Sequence, residues 1–215
     1  MSNSIDLHEH SAHSHGGAHH HRDDLGAKIG MWLFLFTEVI LFGGLFLLYF
    51  SYRVKYSHDF HLAAKELNVV VGTLNTGILL TSSLTMALSI LALTKRQKTL
   101  SLVFLGATIA CAFGFLYNKY FEWGAKIHHG IYPGSEKLAE REHGEVVFFG
   151  LYYSMTGLHT FHVIVGIIFL TFFGIQIIRD KIRFDYYSKL ENVGLYWHLV
   201  DLIWIFLFPL FYLLH

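Results

Sequence analysis

Five long apolar stretches constrain this chain more than any other feature of its sequence. Each reaches or approaches the ~20 residues that a helix needs to cross a hydrocarbon core about 30 Å thick. We predict helices near residues 27–50, 69–93, 100–118, 146–178 and 193–214. No internal repeat relates these stretches, which argues against an inverted-repeat transporter. The predicted fold is an all-α membrane protein, a bundle of five transmembrane helices.

The charged residues agree with this fold and predict its orientation. They make up 15% of the 215 residues, against about a quarter in soluble domains. Sixteen Lys and Arg balance sixteen Asp and Glu, so the chain lacks the basic character of a nucleic-acid-binding protein. Lys and Arg are denser in the short connections on the side of the N-terminus. The positive-inside rule therefore places the N-terminus inside and the C-terminus outside.

Ionisable residues within the apolar helices are the candidate functional residues. Each costs roughly 2.5–3.5 kcal/mol at the centre of a bilayer unless it is paired. Two pairs, His159 with His162 and His198 with Asp201, have i, i+3 spacing, so each pair shares one helix face. We expect these faces to point toward other helices or a protein partner. The full set comprises Glu38, Glu122, His159, His162, His198 and Asp201.

Three interpretations fit these residue types. The first is a buried hydrogen-bond network that joins helices. The second is a metal or haem site, because His from two helices can hold an ion or a haem iron. The third is a proton or ion path, which intramembrane Asp, Glu and His often mark. The residues favour the network and leave the other two open, although no His-Glu-x-x-His motif supports a metal site.

Residues 1–26 form a separate, polar and His-rich N-terminal segment. Its mixture of His with Ser, Gly and Ala predicts disorder and weak binding of divalent metals. The candidate metal ligands are His8, His10, His13, His15, His19, His20 and His21. A second polar segment, residues 118–144, is predicted to be a surface loop with a short amphipathic piece near residues 136–142. Residues 27–215 then form the membrane domain.

Three motifs resemble subunit III of the haem-copper oxidases. They are TEVILF at residues 37–42, TGLHTFHV at residues 156–163 and YWHLVDLIWIF at residues 196–206. Their order and spacing agree with that family, and the resemblance covers nearly all of residues 27–214. The sequence Phe121-Glu122-Trp123 also resembles an aromatic-flanked glutamate of these subunits.

The resemblance implies subunit III of a proton-pumping cytochrome c oxidase in a bacterial plasma membrane. Such a subunit supports the assembly, stability and proton uptake of subunit I. Haem and copper belong to the partner subunits I and II, so we expect no cofactor or catalytic residue on this chain. The electron donor is not expected to bind it directly. By the same resemblance, Glu38 is the buried intramembrane carboxylate, and an inter-helix polar network comprises Glu122, His159, His162, His198 and Asp201.

Several alternatives remain at this point. Longer members of the family have seven helices, and the two that this chain lacks form one wall of a lipid-filled cleft. The resemblance makes phospholipid a possible ligand, to be tested without that wall. A quinol oxidase subunit III or a nitric oxide reductase accessory subunit would fit the same motifs. Outside the family, the His-rich segment suggests a zinc transporter. A haem-b membrane anchor would use His198 with His159 or His162.

Overall fold

A computed structural model describes residues 16–179 and 188–213, and this part of the chain is helical without any strand. The elements in chain order are α1 (Gly16–Lys55), α2 (Ser57–Lys65), α3 (Val69–Thr94), α4 (Lys98–His128), α5 (Glu136–Ala139), α6 (His143–Ile178) and α7 (Ser188–Phe208), followed by a π-helical turn, Pro209–Leu213. Five of the helices, α1, α3, α4, α6 and α7, are long and apolar enough to span a membrane. The predicted fold class is therefore confirmed.

Two spanning helices are longer than the sequence predicted. Helix α1 begins at Gly16, within the segment predicted to be disordered. Helix α4 continues to His128, so residues 118–128 are helical and not part of a loop. Hydropathy marks the membrane-crossing part of a helix, whereas backbone hydrogen bonds continue through polar residues. Residues 1–15 of the His-rich segment lie outside the described residues.

Two short helices lie at the end of the bundle that is predicted to face outside. Helix α2 is amphipathic and buries Phe60, Ala63 and Ala64. Its nine residues are too few and too polar on average to stand out in a hydropathy profile, and the sequence did not predict it. Helix α5 lies within the predicted amphipathic piece, and the Ser135 hydroxyl caps it by accepting a hydrogen bond from the Leu138 amide.

Helix α7 is the central helix of the bundle, and α1 is peripheral. In their most apolar windows, 56% of the residues of α7 are buried, against 17% of those of α1. The α7 residues Trp197 and Trp204 are fully buried. Close approach of α6 to α7 depends on Gly166, because a Cβ there would lie 2.6 Å from the Trp197 ring. These contacts fix the face of α7 that carries the predicted polar residues.

Candidate functional site

The most completely paired ionisable group lies near the predicted outer end of the bundle. The Lys119 ammonium is 2.9 Å from Glu122 Oε2, and their side chains are only 2% and 6% exposed. The Tyr152 hydroxyl donates a hydrogen bond of 2.7 Å to Glu122 Oε1. The Tyr212 hydroxyl donates to the same oxygen. We call Lys119, Glu122, Tyr152 and Tyr212 the outer cluster.

Every polar atom of the outer cluster has a partner. Lys119 also donates to the Tyr212 hydroxyl at 2.9 Å, and its ammonium lies 4.9 Å from the centroid of the Trp204 ring. Both carboxylate oxygens of Glu122 accept hydrogen bonds, as a buried carboxylate requires. The cluster thereby joins α4, α6 and the π-helical turn. The sequence predicted Glu122 but missed Lys119, although their i, i+3 spacing with opposite charges was the available signal.

Further charged residues connect the outer cluster to the surface of the bundle. The Lys126 ammonium donates a hydrogen bond of 3.2 Å to the Glu66 carbonyl. Arg141 forms ion pairs of 2.6 Å with Glu66 and 3.0 Å with Glu145. The hydrogen bond to Glu66 raises the pKa of Arg141. One hydrogen bond and two ion pairs therefore tie the connection between α2 and α3 to α4 and to the start of α6.

The Glu38 carboxylate of α1 contacts the His162 imidazole of α6. Glu38 Oε2 lies 2.9 Å from His162 Nε2, and the two side chains are 12% and 10% exposed. His162 Nδ1 lies 2.8 Å from the Leu158 carbonyl oxygen, which can only accept. The Nδ1 atom therefore carries a hydrogen and donates it to that carbonyl, which fixes the orientation of the ring. Glu38 and His162 thus form a close polar contact that links α1 to α6, although its geometry is not that of a formed hydrogen bond.

The remaining predicted residues lie between α3, α4, α6 and α7. His198 Nδ1 is 2.7 Å from the Ser83 hydroxyl oxygen of α3. His159 is fully buried, and its ring packs against Phe115 and Trp204. Neither ring nitrogen of His159 and neither carboxyl oxygen of Asp201 has a hydrogen-bond partner.

Hydroxyl groups of α3 also hold the two tryptophans of α7. The Trp197 indole donates a hydrogen bond of 2.9 Å to Ser82, and the Trp204 indole donates one of 3.1 Å to Thr76. Such small polar residues at helix interfaces permit close approach and supply inter-helix hydrogen bonds in membranes. These donors and acceptors were not among the predicted site residues. Ser and Thr are common in membrane helices, so their sequence positions carry little signal.

The structure divides the predicted polar network into separate contacts. It brings Glu38 to His162, joins His198 to Ser83, and places Glu122 in the outer cluster. Among residues 16–179 and 188–213, no three His, Cys, Asp or Glu side chains are grouped so as to hold a metal ion. The side chains of the His-rich segment lie outside this description, and their metal binding stays a prediction.

A five-helix membrane bundle joined by buried polar and ionic contacts defines the class of this protein. Comparison with known families then identifies the group to which it is related. The family model described as cytochrome c oxidase subunit III matches residues 6–215. The chain therefore belongs to the cytochrome c oxidase subunit III family. Members of this family are subunits of haem-copper oxidases, which are membrane oxidoreductase complexes.

Curated relatives include proteins with different electron donors in their names. The chain is 29% identical to the probable quinol oxidase subunit 3 of Staphylococcus saprophyticus over 87% of this chain and 88% of that protein. It is 28% identical to cytochrome c oxidase subunit 3 of Bacillus sp. strain PS3, over 86% and 84%. It is 30% identical to the haem-copper oxidase subunit I+III of Aeropyrum pernix over 86% of this chain. The match covers 22% of that longer protein.

Proposed function

We propose that the chain is subunit III of a proton-pumping terminal oxidase that receives electrons from cytochrome c, in a bacterial plasma membrane. In this role it supports the assembly and stability of the complex and the proton uptake of subunit I. The haem and copper that serve dioxygen reduction belong to the partner subunits I and II. Membership of the family supports the assignment of this chain to an oxidase complex.

One observation is the main support for this structural role. Ionisable groups that are costly in a membrane contact other side chains of this chain, and these contacts join its helices. The outer cluster links α4 to α6 and the π-helical turn, and the Glu38–His162 pair links α1 to α6. Side chains engaged in this way stabilise the bundle. This arrangement is what we expect of a subunit that serves a neighbour's chemistry.

Direct association with subunit I has separate support. The relative from Aeropyrum pernix is named subunit I+III, and the segment that matches this chain is part of that single longer protein. Helix α1, the least buried of the five spans, exposes apolar side chains such as Trp32, Phe36 and Leu47. This face is available to subunit I or to lipid.

A quinol oxidase is the second candidate. The relatives from Staphylococcus saprophyticus and Pseudomonas aeruginosa are named as quinol oxidase subunits, at 29% and 26% identity. These values lie close to the 28% found for the cytochrome c oxidase of Bacillus sp. strain PS3. The identity of the donor therefore depends on the companion subunit II, which holds copper when cytochrome c is the donor.

Phospholipid is also a proposed ligand of the chain. A lateral cavity of about 680 Å³ lies beside α3 and α4 near the predicted outer end. Its wall includes the exposed rings of Tyr117 and Phe121 together with the largely buried Lys126. Aromatic rings and an ammonium group at this depth suit an acyl chain and a headgroup.

The test is to purify the chain from its native membrane in mild detergent and to analyse the resulting complex. We expect mass spectrometry to find subunits I and II, and visible spectroscopy to find haem that leaves with those subunits on dissociation. Copper in subunit II would support cytochrome c as donor, and its absence would support quinol. A chain that purified alone with zinc or a haem of its own would contradict the proposal and support a zinc transporter or a haem-b anchor.

A further inference from the structure

Asp201 is a buried carboxyl group that the supporting role leaves unexplained. The residue is only 3% exposed, and neither carboxyl oxygen has a hydrogen-bond partner. An ionised carboxylate without partners is strongly disfavoured in such surroundings, whereas the neutral acid is tolerated. Asp201 therefore does not join helices through hydrogen bonds. The groups that surround it indicate what other role its carboxyl group can have.

A polar neighbour of Asp201 is hydrogen-bonded to a histidine. Asp201 lies one turn after His198 on the same face of α7. The Ser83 hydroxyl of α3 lies close to the Asp201 carboxyl, although no hydrogen bond joins the two groups. The same hydroxyl oxygen lies 2.7 Å from His198 Nδ1. A hydroxyl group both donates and accepts one proton, and a neutral imidazole does the same with its two nitrogens. Asp201, Ser83 and His198 therefore form a row of three groups that can pass a proton.

His198 also lines an open cavity at the predicted inner end of the bundle. The cavity has a volume of about 440 Å³, and its wall includes Lys28, Glu191 and Asn192. Helix α7 begins at Ser188, so His198 lies about 15 Å along the helix at a rise of 1.5 Å per residue. Water in this cavity would reach the imidazole, although the histidine lies well inside the span.

Aromatic side chains lie beyond Asp201 along α7, toward the predicted outer end of the bundle. The next residue on the same face of α7 is Trp204, whose ring packs edge-on against Phe115 with centroids 4.9 Å apart. The Trp204 indole is already bonded to Thr76. A hydroxyl therefore lies close to Asp201 toward the inner end, whereas the indole ring lies one turn further along α7 toward the outer end.

The other ionisable groups around this row are few. Helix α4 brings Cys111 near Asp201, and α6 contributes His159 to the interior of the bundle. At the cavity, the Lys28 ammonium lies 4.0 Å from a Glu191 carboxylate oxygen. These two opposite charges offset one another, and neither occupies the row between His198 and Asp201.

We propose that Asp201 is a proton-exchange site, a protonated carboxyl group that trades its proton with water on the predicted inner side through Ser83 and His198. When the Asp201 carboxyl turns to the Ser83 oxygen, its proton passes to that oxygen as the Ser83 proton passes to His198 Nδ1. His198 then releases its Nε2 proton to cavity water, which leaves a carboxylate at Asp201 and a hydronium ion in the cavity. The reverse sequence returns a proton to the carboxylate. Over the full cycle no charge or atom is gained, and the proposal holds for either electron donor.

The test is infrared spectroscopy of the full-length chain in its purified complex. The carbonyl stretch of a protonated carboxyl group is assigned to Asp201 by its loss in Asp201→Asn. Transfer from H₂O to D₂O then gives the rate at which this band shifts. We expect Ser83→Ala and His198→Phe to slow the shift at least about tenfold, because each removes a proton-passing group. Ser83→Thr, which keeps the hydroxyl, should restore the wild-type rate.

Matched controls separate this effect from a loosened fold. Ser82→Ala changes the neighbouring serine, which bonds Trp197 and not His198, and it should leave the exchange rate unchanged. Unchanged exchange in Ser83→Ala and His198→Phe would overturn the proposal, as would a wild-type Asp201 that is ionised or does not exchange. These outcomes are independent of whether haem subunits accompany the chain.

Discussion

Glu122 and Asp201 are both buried carboxyl groups in membrane-spanning helices, yet their surroundings are opposite. Three side chains donate hydrogen bonds to Glu122, and one of them is a lysine. The Asp201 carboxyl has no hydrogen-bond partner and adjoins a serine hydroxyl. The difference shows that burial alone does not define the role of an ionisable residue. Its partners determine whether it joins helices or remains able to exchange a proton.

The largest expected effect comes from breaking the ion pair of the outer cluster. Lys119→Met or Glu122→Gln alone should destabilise the fold by about 3–5 kcal/mol, because each leaves the other group without its charged partner in a buried site. The double variant should cost much less than the sum of the two. Thermal unfolding of the purified complex, followed by circular dichroism, measures all three. Additive losses would mean that the two groups are not coupled.

A packing change near Asp201 should have the next largest effect. Gly166→Ala places a methyl group 2.6 Å from the Trp197 ring, one turn away from Asp201 on α7. We expect a loss of about 1–3 kcal/mol in stability, because the rigid indole cannot move without shifting α7. Gly150→Ala is the matched control on α6, since its methyl group would meet no atom within 4 Å. Equal melting temperatures for both variants would refute close packing at Gly166.

The loss of stability expected from breaking the Glu38–His162 pair lies between the losses expected at Glu122 and at Asp201. Glu38→Leu leaves His162 Nε2 without its partner and should cost about 1–2 kcal/mol. Glu38→Gln should cost less, because an amide of the same shape keeps a polar group beside Nε2. Denaturation of the complex in detergent measures both variants. Equal losses in Glu38→Gln and Glu38→Leu would mean that the contact depends on the charge of the carboxylate.

The smallest expected effect is that of Asp201→Asn. Replacing an unpartnered carboxyl group by an amide of the same shape removes no hydrogen bond, so stability should change by less than about 1 kcal/mol. The same kind of substitution at Glu122 should cost several times more. Parallel melting curves of the two variants test this contrast directly. A large loss at Asp201 would show that its carboxyl group has a structural partner.

The sequence predicted the spanning helices well, because crossing a bilayer requires about 20 apolar residues and leaves few other solutions. All five spans were identified. The end of α4 was missed, since Lys119, Glu122 and Lys126 lower its hydropathy although they lie on a continuous helix. Charge compensation between such residues becomes visible only when the partners are known.

The candidate site shows the same division between local and distant information. The cost of charge in a membrane was enough to select Glu38, His162, His198 and Asp201 from the sequence. Their partners were not predictable, because contacts such as that of His198 with Ser83 join residues 115 positions apart. The i, i+3 spacing correctly places His198 and Asp201 near one another on α7, but it does not indicate which helix lies opposite.

The central claim is that the intramembrane ionisable groups of this chain support the oxidase without taking part in its redox chemistry. The most direct measurement is the initial rate of dioxygen reduction per haem in fully assembled complexes that carry Glu122→Gln or Asp201→Asn. We predict the wild-type initial rate in both, with faster loss of the subunit during heating only for Glu122→Gln. Complete loss of dioxygen reduction in either assembled complex would contradict the claim.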